Sequence, residues 1–131
     1  MDAVLDSGGL TAFAARRPPA QLLATLEVAA ATGGAVVLPT VVIAEATTGR
    51  PREDAAVNHR LARSLLDDCT VERARVAARL RFAVDVAASV VDAVVAATVT
   101  ARTEAAVVTS DPDDLRSLLS AAASGRRVVE V

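Results

Sequence analysis

Short apolar runs that alternate with longer helical segments constrain this fold more than any other feature of the sequence. Their length and their β-branched content predict buried strands. The predicted strands are Ala3–Leu5, Ala35–Leu38, Ala106–Thr109, Val128–Val131 and a marginal one at Cys69–Val71. Because strands that alternate with helices are joined by right-handed crossovers, the pattern predicts a three-layer α/β/α sandwich with a central, mostly parallel sheet.

The segments between these runs carry apolar residues at helical spacing, and Pro or Gly marks several of their ends. With 131 residues, 53% of them hydrophobic, the chain suits one compact domain over residues 1–131. The predicted helices are Leu10–Ala15, Ala20–Ala31, Pro39–Thr47, Glu53–Leu66, Glu72–Phe82, Val90–Arg102 and Ser110–Leu119.

The composition excludes several kinds of chemistry. All 14 basic residues are Arg, against 16 acidic residues, so there is no Lys for a Walker A loop or a Schiff base. His59 stands alone, which excludes a His-rich metal site, and two Phe with no Trp or Tyr argue against a nucleobase-binding platform built on aromatics. The lone Cys69, together with Asp2 and Asp6 where a signal peptide would be basic, predicts a cytoplasmic protein.

One apolar run, residues 83–101, has the length of a membrane span but contains Asp85 and Asp92. Each Asp costs about 2.5–3.5 kcal/mol at the centre of a bilayer, and Ala offsets little of that. We therefore predict no membrane segment, and the run raises the question of why carboxylates lie within it.

Four carboxylates stand at strand ends or in apolar surroundings. Asp6 and Asp111 follow predicted strands, whereas Glu45 and Asp92 lie in runs of Val, Ile and Ala with no Arg within four residues. A charged carboxylate in apolar surroundings is destabilising unless it is paired, hydrogen-bonded or bound to a metal. We therefore predict that these four residues converge on one or two Mg²⁺ or Mn²⁺ ions, which activate water for attack on a phosphodiester.

Each of these acids also has a purely structural interpretation. Asp111 precedes a Pro and is a good helix N-cap, and Asp114 three residues later would nearly complete a capping box. Asp6 and Asp92 can cap the helices that follow them. Glu45 has no capping role, so its alternative is a solvated position on the helix surface.

The same residues lie in blocks that resemble, in order and spacing, those of PIN-domain ribonucleases. The blocks span nearly the whole chain, and its small size is similar to that of the VapC-type toxins of bacterial toxin–antitoxin pairs. The last block is the most specific and the first the least. They are Val4–Leu10, Leu38–Glu45, Val91–Thr98 and Val107–Leu115.

The resemblance implies a PIN-like fold and a Mg²⁺- or Mn²⁺-dependent endoribonuclease that cuts RNA such as tRNA or rRNA. It also implies a homodimer, and a VapB-like antitoxin whose C-terminal arm occupies the acidic groove, often through an Arg. Gly8-Gly9 replaces the family's usual Ser or Ala, which we expect to loosen the turn that orients Asp6, and Leu115 replaces a Phe. The implied catalytic and metal-binding acids are Asp6, Glu45, Asp92 and Asp111, with Asp114 as an accessory metal ligand and Thr109 or Ser110 as a nearby hydroxyl.

An RNA strand must also be attracted to an acidic pocket, and Arg side chains are the available cations. The Arg residues predicted to surround the site are Arg16, Arg17, Arg50, Arg52, Arg73, Arg75, Arg79 and Arg81. Two other functions compete with the nuclease: a catalytically silent PIN-fold module that binds a protein, and a Rossmann-like nucleotide-binding domain. The second is disfavoured because neither Gly8-Gly9 nor Gly33-Gly34 forms a G-x-G-x-x-G turn.

Overall fold

The computed structural model describes residues 1–84 and 88–131, so Asp85 of the apolar run lies outside the described residues. It contains a five-stranded sheet in the order β3-β2-β1-β4-β5, in which every pairing is parallel. The strands are β1 (Asp2–Leu5), β2 (Val36–Pro39), β3 (Leu65–Asp67), β4 (Ala105–Thr109) and β5 (Arg127–Glu130). The predicted α/β sandwich is confirmed.

The helices of the described residues connect these strands and cover the sheet. Most agree with the predicted segments to within a few residues, and α2 agrees at both ends. The helices are α1 (Ser7–Ala14), α2 (Ala20–Ala31), α3 (Val41–Ala46), α4 (Ala55–Leu61), α5 (Val71–Ala83), α6 (Val90–Thr100) and α7 (Pro112–Ala121).

The region around β3 differs from the prediction. The predicted helix Glu53–Leu66 is wrong at its C-terminal end, because α4 stops at Leu61 and Leu65 enters the sheet. The predicted strand Cys69–Val71 is also wrong, since Val71 is the first residue of α5. As an edge strand, β3 pairs only with β2 and leaves Leu65 and Leu66 about half exposed, so it lacks the buried run that identifies a strand in the sequence.

The core lies around the two central strands and α6. Residues 3–5 of β1 and residues 106–109 of β4 are fully buried, and seven consecutive residues of α6 from Ala93 to Val99 are buried against them. Residues 90–100 of the apolar run therefore form a core helix. Among the residues that the structure describes, no helix is long and apolar enough to cross a membrane.

The amino end of β1 is held by a group of charged side chains. Arg102, just after α6, contacts Asp2 with Nη1 at 2.7 Å and Asp67 with Nη2 at 2.8 Å. Arg73 of α5 also approaches Asp67, at 3.6 Å. These contacts tie β1, β3, α5 and the end of α6 together.

The carboxyl ends of the parallel strands meet at one edge of the sheet. Leu5, the last residue of β1, pairs with Val108 near the end of β4. Asp6 follows β1 directly and Asp111 follows β4 after one residue, so both lie at the same edge. In open α/β sheets this edge is where ligands bind.

Candidate functional site: an acidic cluster

Asp6 is the most buried acid of this edge, with 6% of its surface exposed. It is the N-cap of α1, and its Oδ1 accepts a hydrogen bond from Gly9 N at 2.6 Å, so the capping interpretation holds for this residue. Burial raises the pKa of the Asp6 carboxyl above its ordinary value, the Thr109 hydroxyl and the Gly9 N–H oppose that rise, and the charge of Asp92 adds to it. The Asp6 carboxylate is thus held in place by Gly9 N, and the negative charge of Asp92 acts on it.

Asp92 lies half-buried in the first turn of α6 and does not cap it. The cap is Ser89, whose Oγ accepts a hydrogen bond from Asp92 N at 2.9 Å. Burial raises the pKa of the Asp92 carboxyl, the Ser89 hydroxyl opposes the rise, and the charges of Asp114, Glu45 and Asp111 add to it. These three acids therefore lie near enough to Asp92 for their charges to act on it.

Glu45 lies in α3 but is exposed, so the expectation that its Val/Ile surroundings bury it is wrong. The reason is that α3 is only six residues long and buries Val42 alone, which leaves Glu45 on the outer side. Ser7, the first residue of α1, donates its hydroxyl hydrogen to Glu45 Oε2. This bond holds the Glu45 carboxylate beside the N-terminus of α1, next to Asp6.

Asp111 and Asp114 begin α7. Asp111 stands at the N-cap position, but it is exposed and its side chain makes no capping hydrogen bond, so the capping interpretation fails there. Asp114 is half-buried in the first turn. Thr109 is fully buried, and its hydroxyl accepts a hydrogen bond from Asp111 N at 2.9 Å, whereas Ser110 is exposed.

Gly8 and Gly9 allow the start of α1 to lie directly against the end of β4. A Cβ on Gly8 would stand 2.0 Å from Ser110 Oγ, and one on Gly9 would stand 2.4 Å from the carbonyl oxygen of Val108. Neither residue has a positive φ, so the need for Gly is one of space. We expected Gly8-Gly9 to loosen the turn that orients Asp6. In the structure these glycines instead allow a close contact between α1 and the end of β4, which brings Asp6 toward the β4–α7 junction.

The acidic cluster formed by Asp6, Glu45, Asp92, Asp111 and Asp114 is not neutralised within the described part of the chain. None of the ion pairs found there involves any of its five members. In residues 1–84 and 88–131, no three His, Cys, Asp or Glu side chains stand close enough to hold a metal ion among themselves. Mg²⁺, however, is commonly held by one or two carboxylates, with waters and substrate phosphates as its other ligands. Asp6 and Asp92 fit that mode of binding.

The Arg residues predicted to surround the site differ in their placement. Arg73 is half-buried and donates to the Ala97 carbonyl at 3.1 Å, beside the C-terminal half of α6, so its predicted position near the site is wrong. Arg81 donates to the Ala88 carbonyl at 3.0 Å, just before α6 begins. Arg50 is exposed and paired with Glu53. The remaining predicted residues, Arg16, Arg17, Arg52, Arg75 and Arg79, are exposed.

Two serines that position acids were not among the predicted site residues. Ser89 stands three residues before Asp92, which is the spacing of a capping box and a usable signal in the sequence. Ser7 reaches a residue 38 positions away, Glu45, and no local pattern reports that contact.

Comparisons with known proteins give a fold but no family. No protein-family model and no curated protein matches the chain. The chain is similar to one in the structure of VapBC2 from Rickettsia felis bound to a DNA fragment from their promoter, with 17% identity over 88% of this chain and 92% of that chain and a TM-score of 0.68. It is also similar to one in FitAcB from Neisseria gonorrhoeae, with 17% identity, 98% and 96% coverage and a TM-score of 0.66.

These findings correct the assignment made from the sequence blocks. Both similar structures are complexes of two components, and at 17% identity a likeness establishes the fold alone. The assignment of the chain as a PIN-domain ribonuclease and as the VapC-type toxin of its pair is therefore not upheld. What stands is an α/β fold shared with chains of these complexes, with an acidic cluster at the carboxyl edge of its sheet.

Proposed function

We propose that this chain is a metal-dependent endoribonuclease that hydrolyses RNA phosphodiester bonds with Mg²⁺ or Mn²⁺. The observation that carries the proposal is the acidic cluster, in which Asp6 is buried, Asp92 is half-buried and its charge acts on Asp6, and neither acid has an ion-pair partner among the described residues. Such an arrangement is destabilising by itself and becomes favourable when a hard cation occupies it. Its place at the carboxyl edge of the sheet agrees with a substrate site.

The roles of the individual residues follow from their positions. Asp6, fixed by Gly9 N, and Asp92, fixed in the first turn of α6, would hold the metal. A bound Mg²⁺ or Mn²⁺ supplies Lewis acidity toward water and toward the phosphodiester. Glu45 is exposed and oriented by Ser7, so its carboxylate can accept a proton from an attacking water. Asp111 and Asp114 add negative charge that retains the cation.

We propose further that the chain works within a toxin–antitoxin system. Its fold similarity to chains of the VapBC2 and FitAcB complexes supports this, since those proteins occur as two-component assemblies. An un-neutralised acidic cluster is a suitable target for a cationic side chain of a partner protein, which would exclude the metal and suppress cleavage. The homodimer stays a prediction.

Cleavage of total RNA by the purified protein tests the nuclease directly. The reaction is run with Mg²⁺, with Mn²⁺ and with EDTA, beside the Asp92→Asn protein. A matched control is Asp113→Asn, which removes an acid from the same helix terminus as Asp114 but at a site 89% exposed and paired with Arg116. We expect discrete fragments from the unmodified and Asp113→Asn proteins with metal only, and none from Asp92→Asn.

Absence of cleavage by folded protein under every metal condition would refute the nuclease. The chain would then be a binding module whose acids serve a protein partner. Cleavage that persists in EDTA, or in Asp92→Asn, would instead locate the activity in a contaminant or in another site.

A further inference from the structure

Phe82 is unusual because its side chain is 95% exposed in a chain that has only two aromatic residues. The other, Phe13, is covered by the guanidinium of Arg60, which lies 4.3 Å from the ring centroid. Full exposure of an aromatic ring forgoes the apolar burial that normally stabilises such a residue in the native state. A ligand that covers the ring would restore that apolar burial and its stabilising effect.

The exposed ring belongs to a stripe on the outer side of α5. Ala77 and Leu80 face the core, and the residues on the opposite side of the helix follow one another at helical spacing. We call this surface the α5 stripe; it consists of Val71, Arg75, Arg79 and Phe82, all of them exposed. It therefore combines two cations with an aromatic ring.

The charge of α5 favours an anionic partner. The helix carries four Arg residues and a single Glu, whereas the whole chain has a formal net charge of −2. Arg73 is engaged with Asp67, but the two Arg residues of the stripe make no ion pair within residues 1–84 and 88–131. Single-stranded RNA is a polyanion with unpaired bases, so its phosphates match the two Arg side chains and its bases can stack on the aromatic ring.

The Phe82 end of the stripe lies toward the acidic cluster. Arg81, its neighbour, donates to the carbonyl of Ala88, which directly precedes the cap of α6, and Asp92 follows in the first turn. At the other end of α5, Arg73 contacts Ala97, near the C-terminus of α6. The two helices are thus antiparallel, and a strand lying along the α5 stripe would be directed toward Asp92.

We propose that the α5 stripe binds a single-stranded segment of RNA, with a base stacked on Phe82 and phosphates held by Arg75 and Arg79. The choice of RNA rests on the proposed function. The stripe would hold the part of the substrate next to the bond that is cut, a task for which the acidic cluster itself is unsuited because it repels phosphate.

The absence of Trp and Tyr allows a direct optical test. Phe82→Trp introduces a single indole at a position where it packs against nothing in the described structure, and stacking of a base quenches its emission. We expect quenching when a short single-stranded RNA is added in EDTA, and no quenching with the same sequence as a duplex. Leu23→Trp, on the exposed side of α2, is the matched control and should not respond.

Affinity of the same RNA, measured by fluorescence anisotropy in EDTA, tests the roles of the ring and the cations. We expect Phe82→Ala to weaken binding roughly 5- to 150-fold, the range expected for one base stack. Arg75→Ala with Arg79→Ala should weaken binding further and flatten its dependence on salt. Full RNA affinity in both variants, or an unquenched indole in the RNA-bound Phe82→Trp protein, would overturn the proposal.

Two comparisons separate this proposal from its rivals. If Phe82→Leu binds RNA as well as the unmodified protein, the ring does not stack on a base and the proposal fails. Quenching at position 82 without metal-dependent cleavage supports the α5 stripe and refutes the nuclease. Metal-dependent cleavage without quenching at position 82 supports the nuclease and refutes the α5 stripe.

Discussion

Gly9 stands where α1 meets the end of β4, and its lack of a side chain is a packing requirement. Its Cβ position lies 2.4 Å from the backbone oxygen of Val108, which cannot rotate away. We expect Gly9→Ala to lower the free energy of unfolding by about 1–3 kcal/mol through overpacking. Gly125→Ala, in open space, should change it by less than about 0.5 kcal/mol. Urea denaturation of both variants checks this, and equal effects would contradict it.

Asp92 illustrates a residue whose charge opposes folding. Its pKa is raised in the native state, so the native protein binds protons more readily than the unfolded chain, and stability falls as the pH rises from below the ordinary carboxyl pKa to above the raised one. Asp92→Asn should therefore raise the melting temperature at pH 7 in EDTA and lose this advantage below about pH 3.5. Thermal melts at both pH values measure it, and a lower melting temperature at pH 7 would contradict it.

At the scale of elements, the contacts of Arg102 hold β1, β3 and α6 together. Arg102→Gln removes two charged hydrogen bonds from partly buried carboxylates, and we expect a loss of about 2 kcal/mol at pH 7. Burial opposes the ionisation of Asp2, but the Ala35 N–H and Arg102 outweigh it and lower its pKa. The stabilisation that the ionised Asp2 carboxylate gains from these contacts is present above the ordinary Asp pKa. It is lost as the pH falls through the lowered pKa of Asp2.

Urea unfolding at pH 7 and at pH 2.5 measures this effect. The difference between Arg102→Gln and the unmodified protein should shrink at the lower pH. Arg116→Gln is the control, because Arg116 and its partner Asp113 are 53% and 89% exposed and such pairs contribute little. A constant difference at both pH values would show that Asp2 and Asp67 do not account for the role of Arg102.

The elements that the sequence predicted well are those whose burial leaves a pattern. The strands β1, β2 and β4 contain short apolar runs, and α6 buries seven consecutive residues, most of them Ala or Val. The edge strand β3 was not predicted because Leu65 and Leu66 are half exposed and continue the helical spacing of α4. Similarly, the strand ends placed Asp6 correctly, whereas the exposure of Glu45 depends on how a short helix rotates, which its apolar neighbours do not report.

At the scale of the whole molecule, stability should be linked to divalent cations. If Mn²⁺ or Mg²⁺ binds the native acidic cluster and not the unfolded chain, an ion at 100 times its dissociation constant stabilises the fold by about 2.7 kcal/mol. We expect the unmodified protein to melt at a higher temperature with Mn²⁺ than with EDTA, and Asp92→Asn to respond little. Ca²⁺ and added NaCl serve as controls, and equal shifts in both proteins would place the ion elsewhere.

The acidic cluster is drawn from positions 6 to 114 of the sequence, and Asp6 and Asp92 lie 86 positions apart. Because β4 pairs directly with β1, the sheet edge that carries Asp6 is incomplete until β4 is in place. A nascent chain therefore has no assembled cluster until both β4 and α7 have been synthesised. Any activity that depends on the cluster is acquired only when these two elements are in place.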